Sequence, residues 1–152
     1  FKPFVVGDYI KTSSEEGTVT GITIFYTTLL TVDNRKVMLP NGKLSDSSIT
    51  NYSAMESRRV DLNFSASYGS DIENVKNTIL SVANAHPLVI KSPAPFARLL
   101  KYDDSAIIFQ MRAWCKTEDY WDVYFDLNEQ VKTAFDNAGI EIPFPQLDVH
   151  TK

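Results

Sequence analysis

Across residues 58–68 the chain alternates without a break. Val60, Leu62, Phe64, Ala66 and Tyr68 are interleaved with Arg59, Asp61, Asn63, Ser65 and Ser67. A side-chain period of two fits a pleated strand with one buried face. Such a strand needs a covering layer, and the next residues supply one. Ser70-Asp71-Ile72-Glu73 reads as a capping box, after which Ile72, Val75, Ile79, Val82 and Ala83 recur at helical spacing. Pro87 and the Pro93-Pro95 stretch close that helix and lead to strands over Phe96–Tyr102 and Ile107–Lys116, joined by an Asp103-Asp104-Ser105 turn. A second helix carries Tyr120, Tyr124, Leu127, Val131, Ala134 and Phe135 on one stripe, with Asp119 and Asp122 early and Gly139 just past its end. A proline-braced turn then delivers a last short strand at Asp148-Val149-His150. The order β-α-β-β-α-β predicts a ferredoxin-like split βαβ domain over residues 56–152.

The first third has a different grammar. Gly7-Asp8 opens a strand, and Ser13-Ser14-Glu15-Glu16-Gly17 is a polar turn before Thr18-Val19. Residues 22–32 are rich in Ile, Phe, Tyr, Thr and Val, side chains that pack well on a pleated surface. Asp33-Asn34 turns the chain into Lys36-Val37-Met38-Leu39, and Asn41-Gly42 is the strongest short turn signal, because both residues tolerate positive φ. Short strands with no helix between them predict a small barrel or sandwich over residues 1–55. The polar, aperiodic stretch 51–57 marks the boundary, and the fold class is α+β.

Composition removes several functions. A chain of 152 residues with 43% hydrophobic and 22% charged side chains is an ordinary globular sequence, and no apolar run reaches the roughly 20 residues of a spanning helix. A net charge of −4 with scattered Lys and Arg gives no footprint for nucleic acid. His86 and His150 have no nearby His or Cys partner, so they read as two solvent-facing histidines and no metal is called. Cys115, the single cysteine, shares a strand face with Ile107, Phe109, Met111 and Ala113, and reads as a small core residue rather than a nucleophile. Asp103-Asp104 and Glu118-Asp119 sit where turns and helix starts use acids for local hydrogen bonds. No phosphate loop, nucleophile elbow or catalytic residue is found, and no cofactor is implied.

Several motifs carry a resemblance in order along the chain. They are Pro3-Phe4-Val5-Val6-Gly7-Asp8, Leu39-Pro40-Asn41-Gly42-Lys43, Asn51-Tyr52-Ser53 followed by Arg58-Arg59, and the closing run from Phe135-Asp136-Asn137-Ala138-Gly139 through Ile142-Pro143-Phe144-Pro145-Gln146 to Asp148-Val149-His150. Together they resemble the soluble region of the small-conductance mechanosensitive channel (MscS-like) family. The resemblance implies an Sm-like β barrel in the first domain and a place in the cytoplasmic vestibule below the pore. It implies a parent protein of the cell (inner) membrane that opens under tension and releases ions and small solutes on osmotic downshock. Identical subunits, seven by family expectation, would form the cage. The start at Phe1, with neither Met nor leader, reads as a piece of a longer protein whose membrane helices precede it. Lacking the pore helix, and ending at Lys152 where relatives continue into a small terminal barrel, the chain would not conduct by itself.

The resemblance also assigns residues. On the residues alone, Arg59 and Asp61 are neighbours on a wet sheet face; by resemblance they line a side portal, where a charge biases ion passage. Phe25 reads locally as a core aromatic and Gly42 as a positive-φ turn residue; by resemblance their loops contact the end of the pore helix and couple to gating. Two rival functions remain, an Sm-like nucleic-acid-binding ring and a small-molecule regulatory module. The acidic balance opposes the first, and ligand-induced thermal stabilisation would reveal the second.

Overall fold

The computed structural model describes residues 3–151, which divide into a unit ending at Glu56 and a unit starting at Ser57. The first contains β1 (Tyr9–Lys11), β2 (Glu16–Ile22), β3 (Tyr26–Leu30), β4 (Lys36–Pro40), a one-turn helix α1 (Asn41–Ser45) and β5 (Thr50–Asn51). These strands form one antiparallel sheet in the order β4-β3-β2-β1-β5. Alternation along β1, β2 and β3 turns Ile10, Val19 and Leu29 inward, where Phe4 and Leu44 join them in a small apolar core. The turn at Asp33-Asn34 forms with Asn34 at φ 68. The buried Thr31 hydroxyl donates to Asp33 Oδ1 at 2.5 Å and accepts from the Arg35 N–H at 2.9 Å. That hydroxyl, and then Arg35, hold the Asp33 carboxyl below its usual range.

The expected turn at Asn41-Gly42 is absent. Pro40, at φ −60, precedes a helical turn that buries Leu44, and Gly42 is a helical residue whose φ is not positive. A Cβ added at Gly42 would meet nothing within 4 Å. Gly42 is therefore an exposed helix position, where glycine costs backbone entropy and supplies no needed conformation.

The second unit is built on β6 (Ser57–Ala66), α2 (Ile72–Ala85), β7 (Phe96–Tyr102), β8 (Ile107–Lys116), a 3₁₀ turn (Thr117–Asp119) and α3 (Tyr120–Ala138). The antiparallel sheet runs β6-β8-β7, and β6 pairs with β8 without interruption from Ser57↔Lys116 to Ala66↔Ile107. Val60, Leu62 and Ala66 meet Phe109, Met111, Ala113 and Cys115 in one buried core, on which both helices lay their apolar stripes. The stripe of α3 is centred on Val123, Leu127, Val131 and Phe135; Tyr120 and Tyr124 lie at its margin, and Tyr68 is exposed beyond the end of β6.

Two helix ends show different kinds of legibility. Asp71, rather than Ser70, caps α2 by accepting from the Asn74 N–H at 3.0 Å, while Ser70 bonds the Ser67 hydroxyl and Glu73 pairs with Lys76. At the end of α3, Gly139 adopts φ 70, the Ile140 N–H reaches Phe135 O at 2.9 Å and the Gly139 N–H points at Asp136 O at 3.4 Å. This Schellman pairing satisfies carbonyls the helix leaves open, and buried Ile140 and Phe135 supply its apolar contact.

The strand expected at Asp148-Val149-His150 does not form, so the observed order is β-α-β-β-α. The Ser67 N–H, at 2.9 Å from Glu141 O, ties the tail to the end of β6, and Gln146 N then bonds Ser105 Oγ at 3.0 Å. Proline at both 143 and 145 removes two N–H donors that would face the same ladder, which prevents pairing along β6.

The two glycines give opposite expectations. Gly139→Ala places a Cβ in the left-handed region and should lower unfolding stability by about 1 kcal/mol. Gly42→Ala should raise it by about 0.5–1 kcal/mol, because alanine fits an exposed helical position and restricts the unfolded chain. Chemical denaturation of the chain reads both; a loss at Gly42 equal to that at Gly139 would contradict the helical assignment.

Candidate functional site

Two clusters carry the sequence-derived residues, one in each unit. In the first unit, the run from Ile22 is broken by a tight hairpin tip over residues 23–26. The Thr23 N–H bonds Tyr26 O at 2.8 Å, and its hydroxyl accepts from the Tyr26 N–H at 3.1 Å. This closure leaves Ile24 and Phe25 pointing away from the core, 86% and 74% exposed. Phe25 is thus not the core aromatic its strand-like neighbours suggest.

The tip is held from a distance by Asn41. Its side-chain amide donates to Thr23 O at 2.8 Å and Ile24 O at 3.0 Å, its Oδ1 accepts from the buried Thr27 hydroxyl at 2.7 Å, and its backbone N–H bonds Phe25 O at 2.8 Å. The first turn of α1, with Gly42 next to Asn41, is thereby fastened to the loop bearing Phe25. Sequence reasoning missed Asn41 as the hub. Beside it opens an apolar groove of about 440 Å³, walled by Phe4, Ile22, Leu44 and Ile49 and reaching Asn41 and Gly42.

In the second unit, β6 alternation separates the adjacent arginines. Arg59 lies on the face opposite the helices and grips Asp61 with two bonds, Nε to Oδ1 at 2.7 Å and Nη2 to Oδ2 at 2.9 Å. Both side chains are about 40% exposed (42% and 39%). Such a pair contributes on the order of 0.2–1 kcal/mol, so stability alone gives it little purpose. Arg58 turns to the helix side, its guanidinium carbon 3.5 Å from the Tyr120 ring centroid. Burial pushes the Tyr120 hydroxyl pKa up, with Arg58 opposing the shift.

The other titratable groups are structural. His86 is not solvent-facing; only 4% exposed at the end of α2, its Nε2 lies 2.8 Å from Asp126 Oδ2 on α3 and its Nδ1 accepts from the Leu88 N–H at 3.1 Å. The Leu88 donor fixes the tautomer with the proton on Nε2, so the ring joins two helices. Cys115 is buried; burial, and next the Asp119 carboxylate, push its thiol pKa up despite Arg58, which disfavours the nucleophilic thiolate. Among the described residues, no group of His, Cys, Asp and Glu is arranged to hold a metal ion, and no helix is long and apolar enough to cross a membrane.

Two family descriptions account for most of this chain. "Mechanosensitive ion channel, beta-domain" matches residues 1–54, and "Mechanosensitive ion channel MscS, C-terminal" matches residues 60–142. Their shared class is the mechanosensitive ion channel. The chain belongs to the MscS family. The small-conductance mechanosensitive channel of Edwardsiella ictaluri is 39% identical over 150 residues, covering 99% of this chain and 52% of that protein. That of Helicobacter pylori is 36% identical over 151 residues, covering 99% and 55%. The crystal structure of Helicobacter pylori MscS in its closed state superposes with a TM-score of 0.93 at 36% identity, over 99% of this chain and 60% of that one. Arabidopsis thaliana MSL1, with a TM-score of 0.77 at 21% identity, shares the fold. The chain spans about half the length of the curated relatives it matches.

Asn41→Ala tests the hub. It removes the tip's two side-chain donors and leaves the Thr27 hydroxyl buried without its acceptor, so the chain should lose about 1–3 kcal/mol of stability. Amide exchange should speed at Tyr26, whose N–H closes the tip, with little change along β6 or β8. A stability loss without that local change would mean the tip does not depend on Asn41.

Proposed function

We propose that this chain is the vestibule portion, on the cytoplasmic side, of a channel in the cell (inner) membrane that opens under tension and releases ions and small solutes on osmotic downshock. The supporting observation is the near-complete match to Helicobacter pylori MscS, at a TM-score of 0.93 over 99% of the chain. In this reading the first unit is the Sm-like β domain. The second is a ferredoxin-like domain in which β6-β8-β7 keeps that fold's strand order without its fourth strand. The chain forms part of a cage of identical subunits, seven by family expectation, and does not conduct alone.

Tension supplies the free energy that separates closed from open. The vestibule biases that equilibrium only through contacts that differ between the two states. Exposed Phe25 and the neighbouring start of α1 at Gly42 are the surfaces assigned to the end of the pore helix. Their support is Asn41, which holds both on one hydrogen-bonded frame. Arg59 and Asp61 are assigned to a side portal, where their charges act on ions within about a Debye length, roughly 8 Å at physiological salt.

Patch-clamp recording of the full-length protein in asymmetric salt tests the portal. Asp61→Lys leaves two cations where a neutral pair stood, so the reversal potential should shift toward anions with the opening tension unchanged, and less so as salt rises. The swapped pair Arg59→Asp with Asp61→Arg should restore the original value. An unmoved reversal potential would return both residues to a solvated sheet face. Light scattering of the same protein in detergent tests assembly: a symmetric ring, seven subunits by expectation, supports the reading, and a stable monomer or dimer sinks it.

A further inference from the structure

Two unlike patches lie on opposite sides of the second unit. In the sheet, β8 separates β6 from β7, with α3 packed over β6 and α2 over β7. On the α3 side, Trp121 and Phe125 stand one helical turn apart and stack with centroids 5.8 Å apart, yet remain 52% and 56% exposed. Around them lie Glu118, Asp122 and Glu129, none of which forms an ion pair among the described residues. On the other side, the outer edge of β7 has no strand partner among the described residues, and its ladder with β8 is interrupted by a bulge between Leu99 and Lys101. The bulge residue, Leu100, is 47% exposed. Exposed Arg98 and Lys101 flank it, also without ion pairs among the described residues.

We propose that the aromatic and acidic face of α3 in one copy of this chain docks on the open β7 edge of the next copy. Three physical arguments converge on a second copy as the occupant. An unpaired edge invites uncontrolled strand pairing, and a covering helix is one of the ways proteins prevent it. Arginine and lysine are attracted to aromatic faces as well as to carboxylates, so Arg98 and Lys101 match Trp121, Phe125 and the three acids in both respects. Pairing α3 with α3 would instead set like charges against each other. Because the patches differ and lie on opposite sides, the contact is heterologous: each copy offers one patch to the copy before it and the other to the copy after it. Such contacts close into a ring when the rotation between copies allows. The inference rests on the ring reading above and names the surfaces through which the second units meet.

The test uses the full-length protein carrying Asp122→Cys and Leu100→Cys together, with Cys115 left in place because it is fully buried. A short bifunctional thiol reagent should give a ladder of covalent oligomers up to the ring size only when both new cysteines are present. Light scattering before the reaction separates the possible failures. A ring without the ladder overturns the contact and leaves the ring reading intact, whereas a monomer overturns both. Dimers from the Asp122→Cys variant alone would mean α3 faces α3, which also overturns it. Charge reversal supplies a second measurement that needs no cysteine. Arg98→Asp or Asp122→Arg should each raise about tenfold the ratio of dissociated subunit to ring after dilution in detergent, and the double reversal should restore the ring. Absence of restoration contradicts a direct pairing of the two faces.

Discussion

The uninterrupted ladder between β6 and β8 is the constraint on which the second unit depends. Every residue of β6 has a fixed partner, so a slip of one position would turn Val60, Leu62 and Ala66 to the wet face and bury Arg59 and Asp61. The same register that builds the core therefore separates the two arginines. Arg58 is committed to Tyr120 on the helix side, and Arg59 is left with Asp61 on the other. The chemistry of the open face is a by-product of apolar burial on the closed one. A charged pair placed this way has a fixed position even though the pair itself contributes little to stability.

The first unit solves a different problem with fewer apolar residues. Its core is small, and its hairpin tip must turn without glycine, proline, aspartate or asparagine in the residues that make the bend. Polar side chains supply the missing constraint: Thr23 closes the turn from inside it, and Asn41 holds it from another element. Every donor and acceptor of the Asn41 side chain is used, and the buried Thr27 hydroxyl is satisfied in the same stroke. A network in which each group has its partner holds its surroundings in one arrangement, whereas a partly satisfied one would loosen them. That is why an exposed phenylalanine at the tip has a defined position.

Legibility followed the range of the interaction. The two strands Phe96–Tyr102 and Ile107–Lys116, the face shared by Phe109 through Cys115, and the Gly139 stop are written in neighbouring residues, and they form where the pattern places them. Arg59 and Asp61 were legible as neighbours because strand alternation is local. Asn41-Gly42 misled because the turn signal assumes that asparagine spends its side chain on its own backbone; here it bonds residues 14 to 18 positions away. His86 misled for the same reason, since Asp126 is 40 positions distant. The tail misled because a strand is not a property of a segment: Pro143 and Pro145 remove donors before residues 148–150, which pair with no strand among the described residues.

Three of the exposed apolar clusters among the described residues differ in the cost of using them. Ile24 and Phe25 sit on a stapled hairpin tip, and Trp121 and Phe125 on a packed helix, so both are already ordered before any partner arrives. Phe144, Leu147 and Val149 are also exposed, but lie on a tail that joins no ladder and makes few hydrogen bonds among the described residues. Association through the first two loses little further conformational freedom, while association through the tail must first fix its backbone at roughly 1–2 kcal/mol per residue. Contacts at the tip and at α3 can therefore be strong for their area and persist alone. Contacts through the tail gain most when the rest of an assembly has already brought copies together, because the ordering cost is then set against a much higher effective concentration.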